Sequence, residues 1–76
     1  MYSQIDLATD LEKTLTKGFD IFRVSKTAFQ IYQEHGLELT KPMDHVLLTL
    51  MAMEEGPEFE LTESEFLTLI TEIKAM

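Results

Sequence analysis

The chain has 76 residues, 14 acidic side chains against six basic ones, a net charge of −8 and no cysteine. That length gives one domain over residues 1–76 with no room for a second core, and a stability of a few kcal/mol. The missing cysteines exclude disulfides, thiolate zinc sites and thiol nucleophiles together. An apolar content of 45% argues for a folded domain rather than a disordered one. No apolar run approaches the roughly 18 residues that span a bilayer, and Met1 to Asp10 lacks the basic and greasy segments of an export signal. A soluble, cytoplasmic protein is the expectation.

Helix boundaries are written in four places. Ser3 can cap a first helix, with Asp6 at its third position. Leu7, Ala8, Leu11 and Leu15 then recur at helical spacing, and Lys17-Gly18 reads as a last turn and a left-handed stop. A second helix is expected from Asp20 to Gly36. Its core stripe is Ile21, Val24, Ala28, Ile31 and Tyr32, widened by Phe22 and Phe29, with Arg23, Lys26, Gln30 and Gln33 on the wetter side.

Thr40-Lys41-Pro42 opens a third helix, with proline in the first turn where its missing N–H does no harm. Gly56-Pro57 closes it. Between them only His45 and Thr49 keep a polar stripe, so this helix is expected to be buried on nearly every side, as the centre of the fold or half of a homodimer interface. Its Met43, Met51 and Met53 read as core filler sooner than as an adaptable groove. Thr62-Glu63-Ser64-Glu65 is a capping box for a fourth helix, flanked by Leu61 and Phe66 as a hydrophobic staple. Phe66, Leu69, Ile70 and Ile73 make its core stripe, with Leu67 beside it. The fold class is therefore all-α: a small four-helix domain, either an antiparallel bundle or an irregular orthogonal arrangement.

Charge is unevenly spread. Eight acids and no Lys or Arg lie between Pro42 and Ile73, whereas residues 1–41 carry six acids and five bases. Glu54, Glu55, Glu58, Glu60, Glu63 and Glu65 place six carboxylates within twelve residues. Such a stretch repels nucleic acid and membrane surfaces and draws in a basic partner. Phe59, set among these acids, is a candidate anchor for a protein partner. The alternative reading is a solvated surface, balanced inside the fold by Lys13, Lys17, Arg23 and Lys26, with Phe59 folded back as a lid on the core.

Catalytic and metal chemistry finds little support. Placing Gly56 at the sixth position of a calcium loop puts Met51 and Met53 where oxygen ligands are needed. His35 closes the second helix, where the dipole favours a cation beside Glu34 and Glu38. His45 sits next to Asp44 without H-E-x-x-H spacing. Ser25 and Ser64 lack a nucleophile-elbow setting, and the three glycines form no phosphate loop. No enzyme activity, cofactor or metal is expected.

In acidity, size and number of helices, and in the cluster Glu54 to Glu65, the chain resembles the immunity proteins that neutralise DNase bacteriocins. That resemblance implies an acidic helical face but no motif in order, so no binding residues carry over. The leading expectation is a small acidic, non-enzymatic protein-interaction module, an adaptor, chaperone or regulatory subunit. Inhibition of a nucleic-acid-handling protein by a phosphate-mimicking face is the first alternative, and a small metal-binding protein or enzyme using His35 and His45 the second.

Overall fold

A computed structural model describes all residues from Met1 to Met76. It contains four α-helices, α1 (Gln4–Lys13), α2 (Ile21–His35), α3 (Lys41–Met51) and α4 (Glu63–Lys74), with short 3-10 turns at Gly36–Glu38, Ala52–Glu55 and Pro57–Phe59. No strand is present, and the all-α four-helix reading holds.

Each helix starts on a side-chain cap that satisfies backbone N–H groups otherwise left without partners. Ser3 and Asp6 form a reciprocal capping box on α1. Asp20 accepts from the N–H groups of Phe22 and Arg23 on α2. The Thr40 hydroxyl accepts from Met43 N at the start of α3. On α4 the expected box forms: Thr62 Oγ1 accepts from Glu65 N at 3.1 Å, and Glu65 Oε1 accepts from Thr62 N at 2.8 Å.

Helix ends depart from expectation. The first helix stops at Lys13 rather than Lys17, and Gly18 takes a φ of +93° five residues later. Between them the chain closes as i→i+3 turns, and the hydroxyls of Thr14 and Thr16 donate back to the carbonyls of Leu11 (2.6 Å) and Lys13 (2.7 Å). Threonines that bond their own upstream carbonyls compete with the α-ladder, which explains the early stop. The third helix tightens to 3-10 at Ala52, and Gly56 is extended (φ 166°) rather than left-handed.

The helices pack in a nested order. α2 and α3 lie against each other as a hairpin joined through the Gly36–Glu38 turn, and α1 and α4 pair outside them. The core is one cluster drawn from all four helices and the 3-10 turn after α3: Leu7, Ala8 and Leu11; Val24, Ala28 and Ile31; Met43, Val46, Leu47 and Leu50; Met53; Phe66, Ile70 and Ile73. Phe19, in the loop after α1, tilts against Phe66 with ring centroids 5.5 Å apart. At the other end of α4, Lys74 Nζ reaches Glu12 Oε1 at 3.2 Å, so α4 runs back along the Glu12–Phe19 stretch. Leu61 packs against the same core cluster that holds Phe66, consistent with the expected hydrophobic staple.

Several burial expectations fail. Tyr32, expected in the core stripe of α2, is exposed and lies outside the core cluster. Phe22 and Phe29 do not widen the α2 stripe: they are 76% and 52% exposed. At about 100° per residue they lie within about 20° of one another and on the opposite side of the helix from Val24. Nor is α3 buried nearly all round. It hides Met43, Val46, Leu47 and Leu50, but Leu48 is 47% exposed. On α4, Leu67 likewise faces solvent.

Candidate functional site

The acidic segment is a continuous strip of surface. Glu54 and Glu55 end the 3-10 turn after α3, Glu58 and Phe59 lie in the next one, and Glu60 leads to Glu63 and Glu65 in the first turn of α4. All six carboxylates are exposed. None forms an ion pair: the chain's salt bridges join Asp10 to Lys13, Glu12 to Lys74, and His35 to Glu34 and Glu38. The four basic residues between Lys13 and Lys26 therefore do not neutralise this strip by direct pairing.

The six are not equivalent. Glu54 accepts from the buried Ser25 hydroxyl at 2.9 Å, and Glu65 is held by its capping box. Both carry structural bonds, and only Glu55, Glu58, Glu60 and Glu63 remain without a protein hydrogen-bond donor. Phe59, held over a turn closed by its own N–H on the Gly56 carbonyl (3.1 Å), is 47% exposed, half out of the core rather than a lid on it.

Beside the strip lies a surface groove of about 510 Å³, lined by Phe19, Asp20, Ile21, Phe22, Met53, Glu54, Gly56, Pro57 and Glu60. Apolar floor and acidic wall meet there, at the point where α2 begins and α3 has ended. Composition did not single out Phe22 or Phe29. Their seven-residue spacing, half a turn away from Val24 and Ile31, was the available signal that they stand on an outward face.

A second cluster fixes the start of the chain. The rings of Tyr2 and His35 stack at 4.1 Å with an 11° interplanar angle. The Tyr2 hydroxyl donates to Asp10 Oδ2 at 2.7 Å, and its backbone N–H to Glu38 Oε1 at 3.1 Å. His35 Nδ1 donates to Glu38 Oε2 at 3.0 Å. Burial, then the Asp10 hydrogen bond, push the Tyr2 phenol well above its ordinary range. The His35 hydrogen bond, then the Tyr2 N–H, hold Glu38 below the usual carboxylate range. Every polar group here has its partner inside the chain, which marks a structural tie. His35 thus sits beside Glu34 and Glu38 at the end of α2, as its place in the sequence suggests.

His45 is exposed, and its carbonyl accepts from the Thr49 hydroxyl at 3.0 Å. No three His, Asp or Glu side chains converge as a metal-holding group. Met43 and Met53 are buried in the core and Met51 packs against it, so they fill space. No helix is long and apolar enough to cross a membrane. Compared with known proteins, the chain matches no protein-family model, no curated protein and no solved structure.

Proposed function

We propose that this protein is a non-enzymatic interaction module, of the adaptor, chaperone or regulatory-subunit kind, which presents the surface of Glu55, Glu58, Phe59 and Glu63 to a protein partner with a basic face. One observation carries this reading: the strip's carboxylates have no cation within the chain, and a half-exposed aromatic ring stands among them. Unpaired charges of one sign accelerate encounter with an opposite surface, and an aromatic side chain supplies the apolar contact that holds it. The Tyr2–His35–Glu38 cluster, by contrast, is closed on itself and has no such free groups to offer.

The test is affinity capture from lysate of the source organism, with wild type beside Glu58→Gln/Glu63→Gln and Phe59→Ser. A stoichiometric partner retained by wild type and lost by both variants supports the module. Its absence from all three samples, or equal retention by all three, overturns the assignment. Both variants are expected to keep the wild-type circular dichroism spectrum, because neither glutamate accepts a hydrogen bond in the fold and Phe59 is half-exposed and outside the core cluster.

The continuous run of exposed carboxylates also favours a second reading, an inhibitor that occupies a nucleic-acid-binding surface by mimicking phosphates. The response to Phe59→Ser, read together with the steepness of the salt dependence, separates the two. Phosphate mimicry predicts binding that falls steeply with ionic strength and survives Phe59→Ser, whereas the module loses affinity when Phe59 is removed.

A further inference from the structure

The outer face of α2 is a second surface, distinct from the Phe59 strip. Phe22, Lys26, Phe29 and Gln33 fall on one side of the helix, all exposed. Neither Lys26 nor Arg23 forms an ion pair, and no acid occurs between Ile21 and Gln33. The groove lies at the N-terminal end of this face, with Phe22 on its border, the apolar side chains of Phe19, Met53 and Pro57 inside, and Asp20, Glu54 and Glu60 on its walls. Glu54 and Glu60 belong to the strip without a cationic partner. Phe22 therefore stands between an apolar, acid-walled groove and a helix face that is aromatic and basic.

A surface with opposite charges on either side of its centre is complementary to itself under a two-fold rotation, since residue i of one copy meets residue j of the other and the reverse. We propose that a second copy of this chain docks here, the two related by a two-fold axis near Phe22, so that Lys26 and Phe29 of each copy meet the acid-walled groove of the other. Charge complementarity selects this occupant and this centre. An axis at Lys26 would set two ammonium groups against each other, whereas an axis at Phe22 sets each against Glu54 and Glu60. The pairing covers the most exposed aromatic side chain of the molecule and supplies the cations that the groove walls lack. This assembly goes beyond the interaction-module reading, because Glu55, Glu58, Phe59 and Glu63 do not line the groove.

Sedimentation equilibrium of the full chain at low and high salt tests the proposal. Wild type is expected to be a dimer with a dissociation constant tighter than about 100 μM at low salt, weakened by added salt. Phe22→Ser is expected to weaken it by at least about tenfold. Phe22 is so exposed that its replacement leaves the fold intact, checked by an unchanged helical spectrum. Lys26→Glu and Glu60→Lys are each expected to give monomers, and the double variant to restore the dimer through the reversed pair. A wild type that stays monomeric to about 1 mM at low salt overturns the proposal. So does a dimer indifferent to Phe22→Ser, or a double variant that stays monomeric. None of these results bears on capture through Phe59, which is read separately.

Discussion

The Ser25 hydroxyl donates to Glu54 Oε1 at 2.9 Å across 29 positions of chain, tying the start of α2 to the 3-10 turn that follows α3. It is the side-chain hydrogen bond that closes the α2–α3 hairpin at its open end, opposite the Gly36–Glu38 turn. Ser25→Ala removes the donor and leaves Glu54 free to be hydrated, so no buried group is orphaned. The expected cost is about 1 kcal/mol, a fall in Tm of roughly 4–8 °C for a domain of this size. Glu54→Gln keeps an acceptor and should cost less. An unchanged Tm in Ser25→Ala would show that the bond contributes nothing in solution.

The two capping boxes allow a matched comparison. Thr62→Ala and Ser3→Ala each leave a first-turn N–H without its side-chain partner and should each cost about 1 kcal/mol in urea denaturation. Thr68→Ala, on the exposed side of α4, is the control and should change stability by less than about 0.5 kcal/mol.

Gly18 and Gly56 look alike in sequence and should respond differently. Gly18 sits at a φ of +93°, so Gly18→Ala is strained despite open space around it, by roughly 1–2 kcal/mol. Gly56 is extended, a conformation any residue adopts. The nearest atoms to an added methyl there belong to the carboxylate of Glu58, at 2.9 Å, the mobile end of a long side chain. Gly56→Ala should therefore lie within about 0.5 kcal/mol of wild type. Thermal melts of the two variants decide the matter.

Leu50 is fully buried in the last turn of α3. Leu50→Asp places a carboxylate where nothing can pair with it, a cost beyond the few kcal/mol available to a domain this small. Loss of the cooperative melt at neutral pH is the expected result. A folded variant would remove Leu50 from the core.

Acid should weaken the N-terminal tie. Glu38 is held low first by its His35 hydrogen bond, and Asp6 first by the Ser3 N–H. A carboxylate whose folded pKa is depressed contributes stability that is fully present above its unfolded pKa and lost as pH falls through the folded one. Tm should thus be insensitive to these groups above the ordinary value of 4.5 for Glu38 and fall below it. Glu38→Gln should lower the neutral-pH Tm slightly and flatten that acid limb. An acid limb as steep as wild type in Glu38→Gln together with Asp6→Asn would assign the loss to other carboxylates.

Helix starts were legible because caps are local chemistry: Ser3, Asp20, Thr40 and Thr62 act within three residues of themselves. Core positions at helical spacing, such as Val24, Ala28 and Ile31, were legible for the same reason. The end of α1 was not, since Gly18 is a valid stop and only the Thr14 and Thr16 back-bonds place the break earlier. The exposure of Phe22 and Phe29 follows from their angle, half a turn from Val24, and not from their hydrophobicity. The acidic strip could be read as composition, but the roles of its members could not. That Glu54 holds Ser25 depends on how α2 and α3 meet, which no local pattern encodes. Leu48 was misplaced because a helix rich in apolar residues does not say how many neighbours the fold will give it.

The nesting of the helix pairs has a kinetic consequence. α2 and α3 are joined by five residues, Gly36 to Thr40, and their contacts can form as a local event. α1 and α4 are remote in sequence, so their pairing closes a loop containing most of the chain and carries the larger entropy cost. The inner hairpin should therefore lead, with Val24 and Leu47 variants slowing folding, while Leu11 and Ile73 variants chiefly speed unfolding. In native-state hydrogen exchange, amides of α1 and α4 should open together at lower free energy than those of α2 and α3. Their parting would uncover Phe66 and Ile70 while the hairpin persists, a transient apolar surface on an otherwise folded molecule.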